Sequence, residues 1–194
     1  MNSDLCFALF DTAIGHCGVV WSGRGVVGVQ VPARSDSATR DHVLRRFPGA
    51  LETSQPPAPV QRAIDDMVAL LGGEPRDLAD VMLDQDGVAD FNRRVYQVAR
   101  RIPAGCTLSY GEIAARLGDK NLAREVEQAL SQNPTPIIVP CHRVLAAGGK
   151  MGGFSAPGGV RTKLRLLTIE GAQTEDGPAL FDRLPWVAAP NRRL

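Results

Sequence analysis

The hydrophobic pattern of this chain changes along its length, from short strand-like runs to longer amphipathic stripes. Three runs rich in β-branched or aromatic residues, Leu5–Phe10, Cys17–Trp21 and Gly25–Val31, are separated by turn residues. This spacing predicts an antiparallel meander. From Val60 to Leu71 the apolar residues instead recur at helical intervals, which predicts a helix with one buried face. Strands followed by helices indicate an α+β fold.

Composition divides the chain at residues 84–87, Asp-Gln-Asp-Gly. We predict a small N-terminal α/β domain with an antiparallel sheet over residues 1–86, a helical domain over 87–172 and a C-terminal tail over 173–194. The second domain has 12 Lys and Arg against 6 Asp and Glu, whereas the whole chain has 22 against 21. This asymmetry favours a polyanion as partner, but a solvated basic surface would explain it equally well.

The composition excludes several classes of protein. A chain of 194 residues with 44% hydrophobic and 22% charged residues can bury a core, so it is not a disordered tail protein. No apolar run reaches the roughly 18 residues that a membrane span needs. The start of the chain lacks the features of a signal peptide, and four scattered cysteines do not suggest a disulfide scaffold. We therefore expect a cytoplasmic protein with no membrane partner.

The basic domain contains a candidate helix-turn-helix. Ser109 is placed to cap a short helix, with Glu112 at the capping-box position and Gly118 ending it. A second short helix is predicted over Leu122–Ser131. Such a pair is typical of winged-helix DNA-binding domains, but it also occurs in enzymes that bind no DNA.

The tetrapeptide Pro140-Cys141-His142-Arg143 is the strongest candidate for chemistry. A cysteine is nucleophilic as the thiolate, so it needs a base or a positive environment, and both neighbours offer one. Adjacent side chains of a strand point in opposite directions, so contact between Cys141 and His142 requires a turn or a bridging water. The apolar run Ile137–Val139 before it predicts a strand, and a cysteine ending such a run is commonly just a small buried residue.

A longer pattern around this tetrapeptide, Asn133-Pro134-x-Pro136-x-x-x-Pro140-Cys141-His142-Arg143-Val144, resembles the active-site signature of the O6-alkylguanine-DNA alkyltransferases, also called methylated-DNA–protein-cysteine methyltransferases. The resemblance covers Phe91–Ala172, and the N-terminal half has no comparable signature. It extends to four further motifs: Tyr110-Gly111-x-Ile113-Ala114, Ala123-Arg124, Gly152-Gly153-Phe154-Ser155 and Leu166-Leu167-x-x-Glu170-Gly171.

The resemblance implies DNA repair by direct reversal. O6-alkylguanine, and O4-alkylthymine, would be flipped out of duplex DNA, and the alkyl group would pass irreversibly to Cys141, once per protein molecule. His142 would act as the base through a water, oriented by Glu170. Tyr110 would donate a hydrogen bond toward the base, and Asn133 would brace the turn that carries the cysteine.

The resemblance also implies how DNA is held. The helix-turn-helix would enter the minor groove, and Arg124 would fill the gap left by the flipped nucleotide. The other implied DNA contacts are Tyr110, Ala123, Glu127, Gln128 and Arg143, and the pocket wall would be formed by Val144, Phe154 and Ser155. We expect a monomer that binds double-stranded DNA containing alkylated guanine and needs no cofactor.

Three features depart from the family pattern. Glu127 and Gln128 stand where the family has small residues, so we expect weak duplex binding and an ion pair between Glu127 and Arg124 in the free protein. The loop Phe154–Gly159 is two residues longer than the common form, which would change the width of the alkyl pocket. Some members hold zinc in the N-terminal domain, but few residues here could bind it (Cys6, Cys17, His16 and His42), and we expect none.

Other classes of function fit parts of the sequence. Non-catalytic lesion-binding proteins related to the alkyltransferases replace the acceptor cysteine, usually with tryptophan, so the presence of Cys141 disfavours that class. A winged-helix regulator with a structural cysteine is a further alternative. A thiol hydrolase is the third, although Cys-His adjacency gives it little support.

Overall fold

The structure, a computed structural model, describes residues 5–172, so the predicted tail over 173–194 lies outside the described residues. The strands are β1 (Cys6–Thr12), β2 (Gly15–Ser22), β3 (Gly25–Gln30), β4 (Leu51–Glu52), β5 (Leu108–Ser109) and β6 (Val144–Leu145). The α-helices are α1 (Asp36–Arg46), α2 (Ala58–Leu71), α3 (Asp90–Ala99), α4 (Tyr110–Arg116), α5 (Ala123–Ser131) and α6 (Val160–Ile169). These elements confirm the predicted α+β fold class.

The larger sheet has the strand order β3-β2-β1-β4. The antiparallel meander is confirmed: β1 pairs with β2 from Cys6–Trp21 to Thr12–Gly15, and β2 pairs with β3. The short strand β4, which the sequence pattern did not predict, adds to β1 in parallel. Two residues are too few to show alternation, and Leu51 on the sheet edge is 64% exposed, so this strand had no apolar signal.

Helix α2 packs its predicted apolar stripe against the sheet. Val60, Ile64 and Met67 are buried in a core that also contains β-strand residues such as Val19 and Val29. The same core includes three residues from the predicted second domain: Ile137, Ile138 and Leu166. The sheet and the C-terminal segments are thus held together by shared apolar burial.

The predicted helix pair is α4 and α5, joined by a 3-10 turn over Lys120–Leu122. The capping box is confirmed, since the Glu112 amide donates to Ser109 Oγ and the Ser109 amide donates to Glu112 Oε2. Helix α5 buries Val126 and Ala129, and the Ala129 carbonyl accepts a 2.9 Å hydrogen bond from the Tyr96 hydroxyl of α3.

The prediction of a strand over Ile137–Val139 is wrong, because this segment is a buried turn. Ile137 has a φ of 76°, in the left-handed region that β-branched residues rarely adopt. The Val139 amide donates to the Thr135 carbonyl, so the turn is bonded to itself. The side chains of Ile137 and Ile138 are about 1% exposed, and the apolar run is explained by core burial.

No helix among residues 5–172 combines the length and apolarity needed to cross a membrane. Over the same range, no group of three or more His, Cys, Asp or Glu side chains is placed to hold a metal ion. Of the residues considered for zinc, Cys17 is fully buried and His16 Nδ1 lies 2.9 Å from Asp11 and 3.2 Å from Asp36.

Gly28 allows the end of α1 to approach the sheet. A Cβ built at Gly28 would overlap Cζ of Phe47 and lie 2.7 Å from its Cε2 atom. We therefore expect Gly28→Ala to lower the free energy of unfolding by about 1–3 kcal/mol, as overpacking of a core does. Urea denaturation measures this.

Gly23→Ala is the control, because a Cβ at Gly23 meets nothing within 4 Å, and its effect should stay within about 0.5 kcal/mol. Equal stabilities of the two variants would contradict the assigned contact between Gly28 and Phe47.

Candidate active site

Cys141 begins a 3-10 turn, Cys141–Arg143, directly after the buried turn described above. The Cys141 amide donates to the Val139 carbonyl at 2.8 Å, and the Arg143 amide donates to Pro140 at 2.9 Å. The backbone here is therefore tightly turned rather than extended. This removes the geometric objection to a cysteine and a histidine acting from adjacent positions.

Asn133 ties the two ends of the buried turn together. Its Nδ2 atom donates to the Val139 carbonyl at 2.8 Å, and its Oδ1 atom accepts from the Thr135 amide at 3.0 Å. Both groups belong to the segment that leads into Cys141. Asn133 thus sits where the resemblance expects it to brace the turn.

His142, Arg143 and Glu170 form a buried charged network. His142 Nε2 lies 3.0 Å from Glu170 Oε1. Arg143 donates two hydrogen bonds to the same carboxylate, from Nε to Oε2 at 2.9 Å and from Nη2 to Oε1 at 2.7 Å. The side chains are 1%, 7% and 3% exposed, respectively. Glu170 follows the C-terminal end of α6, where a negative charge is unfavourable without a partner, and Arg143 and His142 supply that partner.

The network fixes the protonation states of its members. Burial opposes ionisation of Glu170, but the hydrogen bonds and charges of His142 and Arg143 outweigh it and lower the pKa of Glu170 to about 2. Burial lowers the pKa of His142, against the opposing influence of Glu170, so the imidazole is neutral at pH 7. Because an ionised carboxylate only accepts, Nε2 carries the proton and Nδ1 keeps its lone pair. Nδ1 is buried without a hydrogen-bond partner among the described residues.

The DNA contact expected for Arg143 has to be corrected. The resemblance assigned it a DNA contact, but its guanidinium is buried and is occupied by Glu170 and by the Ile102 carbonyl, to which Nη1 donates. A side chain in this position does not reach a phosphate. Its position beside Glu170 instead indicates that it keeps this carboxylate ionised and in place.

Lys163 is a buried residue beside the site that the sequence did not lead us to predict. It is completely buried on α6, and Nζ donates to the carbonyls of Val144, at 2.6 Å, and Met151. Burial lowers its pKa to about 8, while Cys141 is among the groups that raise it. The available signal was its position on the apolar face of α6, one helical turn before Leu166 and Leu167, where a lysine is unusual.

The surroundings of Cys141 act on the pKa of its thiol in opposite directions. Burial raises the pKa of its thiol, whereas a hydrogen bond from Asn133 and the charge of Lys163 lower it. A thiol held in this way stays protonated until a base removes the proton. His142 is the nearest candidate along the chain, one residue away.

Cys141 lines a cavity of about 260 Å³, which we call the front cavity. Its lining residues are Tyr110, Glu127, Leu130, Ser131, Cys141, Gly153, Phe154 and Ser155. Burial, reinforced by the negative charge of Glu127, raises the pKa of Tyr110 to about 12. The hydroxyl therefore remains a donor at neutral pH, and it makes no hydrogen bond within residues 5–172.

The expected pocket wall is present in part. Phe154 and Ser155 line the front cavity, and Ser155 Oγ donates to the Ser131 carbonyl at 2.8 Å, which ties the loop to the end of α5. Val144 does not line it. That residue is fully buried in β6 and contributes to the core behind the site.

The exposed face of α5 carries Arg124, Glu127 and Gln128, while Ala123 is half-buried at its start. Within the described residues Arg124 makes no ion pair, so the expected pairing with Glu127 is wrong. Glu127 instead lines the front cavity with Tyr110. Arg124 is thus left exposed at the first turn of the second helix.

The fold and site together define a class of protein: an α+β chain in which a helix-turn-helix adjoins a cavity containing a cysteine backed by a buried His–Glu pair. Residues 90–172 match the family described as 6-O-methylguanine DNA methyltransferase, DNA binding domain. The methylated-DNA–protein-cysteine methyltransferase of Mycobacterium tuberculosis is 40% identical over 176 residues, which cover 91% of this chain and 98% of the relative. That of Methanothermobacter thermautotrophicus is 36% identical over 158 residues, 81% of each chain.

Solved structures agree with this assignment. Mycobacterium tuberculosis OGT in complex with DNA superposes with a TM-score of 0.69 and 33% identity, covering 85% of this chain and 92% of that one. The O6-methylguanine-DNA methyltransferase of Pyrococcus kodakaraensis has a TM-score of 0.66 and 28% identity, and the match covers 86% of this chain and 99% of that one. The chain belongs to the methylated-DNA–protein-cysteine methyltransferase family, and the predicted family and enzyme class are confirmed.

Removing the charge of Glu170 should be costly. In Glu170→Gln the Arg143 cation stays buried without its counter-ion, so we expect the free energy of unfolding to fall by about 3–5 kcal/mol at pH 7. Because the pKa of Glu170 is depressed in the folded state, its stabilisation is complete above about pH 4.5 and is lost as the pH falls toward 2. The difference between wild type and variant should narrow over that range.

Urea unfolding at several pH values measures this difference. The control is Glu125→Gln, which changes an exposed glutamate of α5 and should stay within about 0.5 kcal/mol of wild type. A Glu170→Gln protein as stable as this control would show that the buried ion pair is misassigned.

Proposed function

We propose that the protein repairs O6-alkylguanine in duplex DNA by moving the alkyl group irreversibly to Cys141 Sγ, once per molecule. Family membership makes it a DNA-repair alkyltransferase. The finer proposal rests on one observation: Cys141 shares the front cavity with Tyr110, while the adjacent His142 is bonded to Glu170. A nucleophile, a base and a donor for the leaving group are thereby grouped at one site.

The proton chemistry follows from the protonation states. Glu170 holds the Nε2 proton of His142, which directs the free lone pair to Nδ1. Through a bridging water, Nδ1 takes the proton of the Cys141 thiol, and the resulting imidazolium is stabilised by the carboxylate. Arg143 keeps Glu170 ionised for this role.

The transfer itself is a single displacement. The thiolate of Cys141 attacks the carbon attached to guanine O6, the S–C bond forms, the C–O6 bond breaks, and the electron pair remains on the guanine. The leaving base accepts a hydrogen bond from Tyr110 and takes up a proton from water, and the hydroxide that this leaves is neutralised by the proton that His142 took from the thiol. The product is a neutral thioether, which has no leaving step to regenerate the thiol, so each molecule acts once.

The helix pair supplies the DNA contact in this proposal. Arg124 is exposed at the start of α5 and unpaired among the described residues, so it is free to occupy the space that a flipped nucleotide leaves in the minor groove. Half-buried Ala123 lets the helix backbone approach the duplex.

O4-alkylthymine, whose alkyl group is likewise attached to an exocyclic oxygen, is a second substrate. The protein acts as a cytoplasmic monomer.

Intact-protein mass spectrometry tests the proposal. After incubation with a duplex containing O6-methylguanine, the wild type should gain one methyl group and then stop, at one equivalent per protein. Cys141→Ser should gain none, because a serine hydroxyl is a far weaker nucleophile than a thiolate.

Cys106→Ser is the matched control, since Cys106 is an exposed cysteine outside the front cavity, and it should gain the methyl group as the wild type does. Methylation of Cys141→Ser, or product formed beyond one equivalent, would contradict the proposal. DNA binding without a mass gain would favour the non-catalytic lesion-binding or winged-helix alternatives.

A second prediction concerns duplex affinity. Glu127 is exposed on α5 one turn after Arg124, so phosphates would repel it and its side chain would hold the helix away from the groove. Glu127→Ala should bind duplex DNA more tightly than wild type, and the gain should be larger at low salt, where charge repulsion is less screened.

The control for this titration is Glu125→Ala, which removes the same charge from a different face of α5 and should produce a smaller gain. Unchanged or weaker binding by Glu127→Ala would show that this face of α5 does not meet DNA as proposed.

A further inference from the structure

A second cavity, of about 560 Å³, shares a wall with the front cavity. Four residues line both: Ser131, Cys141, Phe154 and Ser155. We call it the rear cavity. Its volume lies within the range of about 300–1,000 Å³ that is typical of small-molecule pockets, and the reactive cysteine stands between the two spaces.

The rear cavity is built largely by parts of the chain that the catalytic network does not use. The end of β3 contributes Gln30, and α1 contributes His42 and Arg46. Ala156 and Pro157, which belong to the lengthened loop noted in the sequence, line the rear cavity and not the front one. The part of the loop that is longer than in the family pattern therefore borders the rear cavity.

The two cavities differ in charge. Glu127 lines the front cavity, whereas no acidic residue among those described lines the rear one. His42 and Arg46 lie one helical turn apart on α1 and both line the rear cavity. A group that extends from Cys141 into the rear cavity therefore moves away from a carboxylate and toward a guanidinium.

Arg46 is available to a ligand. Its guanidinium lies 5.2 Å from the centre of the Phe47 ring, and Nη1 makes a long hydrogen bond of 3.5 Å to the Val29 carbonyl. It has no carboxylate partner within residues 5–172. His42 likewise makes no side-chain hydrogen bond or ion pair in this range.

We propose that the rear cavity holds the distal part of long O6-alkyl adducts, and that Arg46 favours adducts ending in a carboxylate or another anion. This inference rests on the proposed function, and the bonds made and broken are the same. Cys141 Sγ bonds to the carbon next to O6, the C–O6 bond breaks, and the anionic end of the adduct stays unreacted beside Arg46. Arg46 is thus a specificity residue and not a catalytic one.

The experiment compares two free bases, O6-(4-carboxybenzyl)guanine and O6-(4-carbamoylbenzyl)guanine, which differ only in the charge at the end of a rigid arm. The rate of mass gain on Cys141 is measured for each, and the quantity of interest is the ratio of the two rates. In Arg46→Gln this ratio should fall about two- to fivefold relative to wild type, as expected for loss of a solvent-exposed ion pair. High salt should reduce the wild-type ratio in the same direction.

Arg45→Gln is the matched control, because Arg45 is the exposed neighbour on α1 and does not line the rear cavity; it should keep the wild-type ratio. Arg46→Glu should lower the ratio further than Arg46→Gln does. An unchanged ratio in Arg46→Gln, or an equal fall in Arg45→Gln, would overturn the inference.

Methyl transfer from duplex DNA separates the two proposals. A methyl group carries no anionic end for Arg46 to bind, so all three variants should gain one methyl group as the wild type does. If they do so while the ratio test fails, only the rear-cavity inference falls. If the wild type gains no methyl group, the proposed function falls and takes this inference with it.

Discussion

The buried pairing of Glu170 with Arg143 and His142 holds the site together. It joins the end of α6 to the turn that carries the cysteine, 27 and 28 residues earlier, and the Arg143 bond to the Ile102 carbonyl adds the segment after α3. Burying three such groups is costly unless each one is satisfied. The network therefore makes the geometry of the active-site turn a condition of folding, and at the same time it sets the histidine tautomer that the proposed chemistry needs.

Much of the site could be predicted because its motif is local in sequence, whereas the errors arose where tertiary contacts decide the outcome. The α+β class, the meander and the capping box follow from periodicity and turn chemistry. The apolar run Ile137–Val139 predicts a strand, but core burial and the hydrogen bonds of the Asn133 side chain hold it in a turn. Nothing local in the sequence shows that Arg143 is buried against Glu170. The position of Lys163 on the apolar face of α6 indicates burial, but it does not show which backbone carbonyls the ammonium group bonds.

The N-terminal sheet has no catalytic motif, yet it contributes to the site in two ways. Its core takes in Ile137 and Ile138 from the turn before the cysteine, so sheet stability and active-site geometry are coupled through apolar packing. The sheet also leads into α1, whose Arg46 faces the rear cavity. In this arrangement the helical half contains the candidate active site, and the sheet half supports that site and shapes the space beyond the Cys141 sulfur.

The short connection between α5 and Asn133 has a mechanical consequence. Helix α5 ends at Ser131, the Asn133 amide bonds back to the Leu130 carbonyl, and Ser155 bonds to the Ser131 carbonyl. The helix that carries Arg124 is therefore bonded directly, at its C-terminal end, to the segment that leads into Cys141 and to the loop that contains Ser155. These bonds hold Arg124 at a set separation from the Cys141 sulfur. In the proposed mechanism, a base that is only partly displaced from its stack would therefore not reach the sulfur.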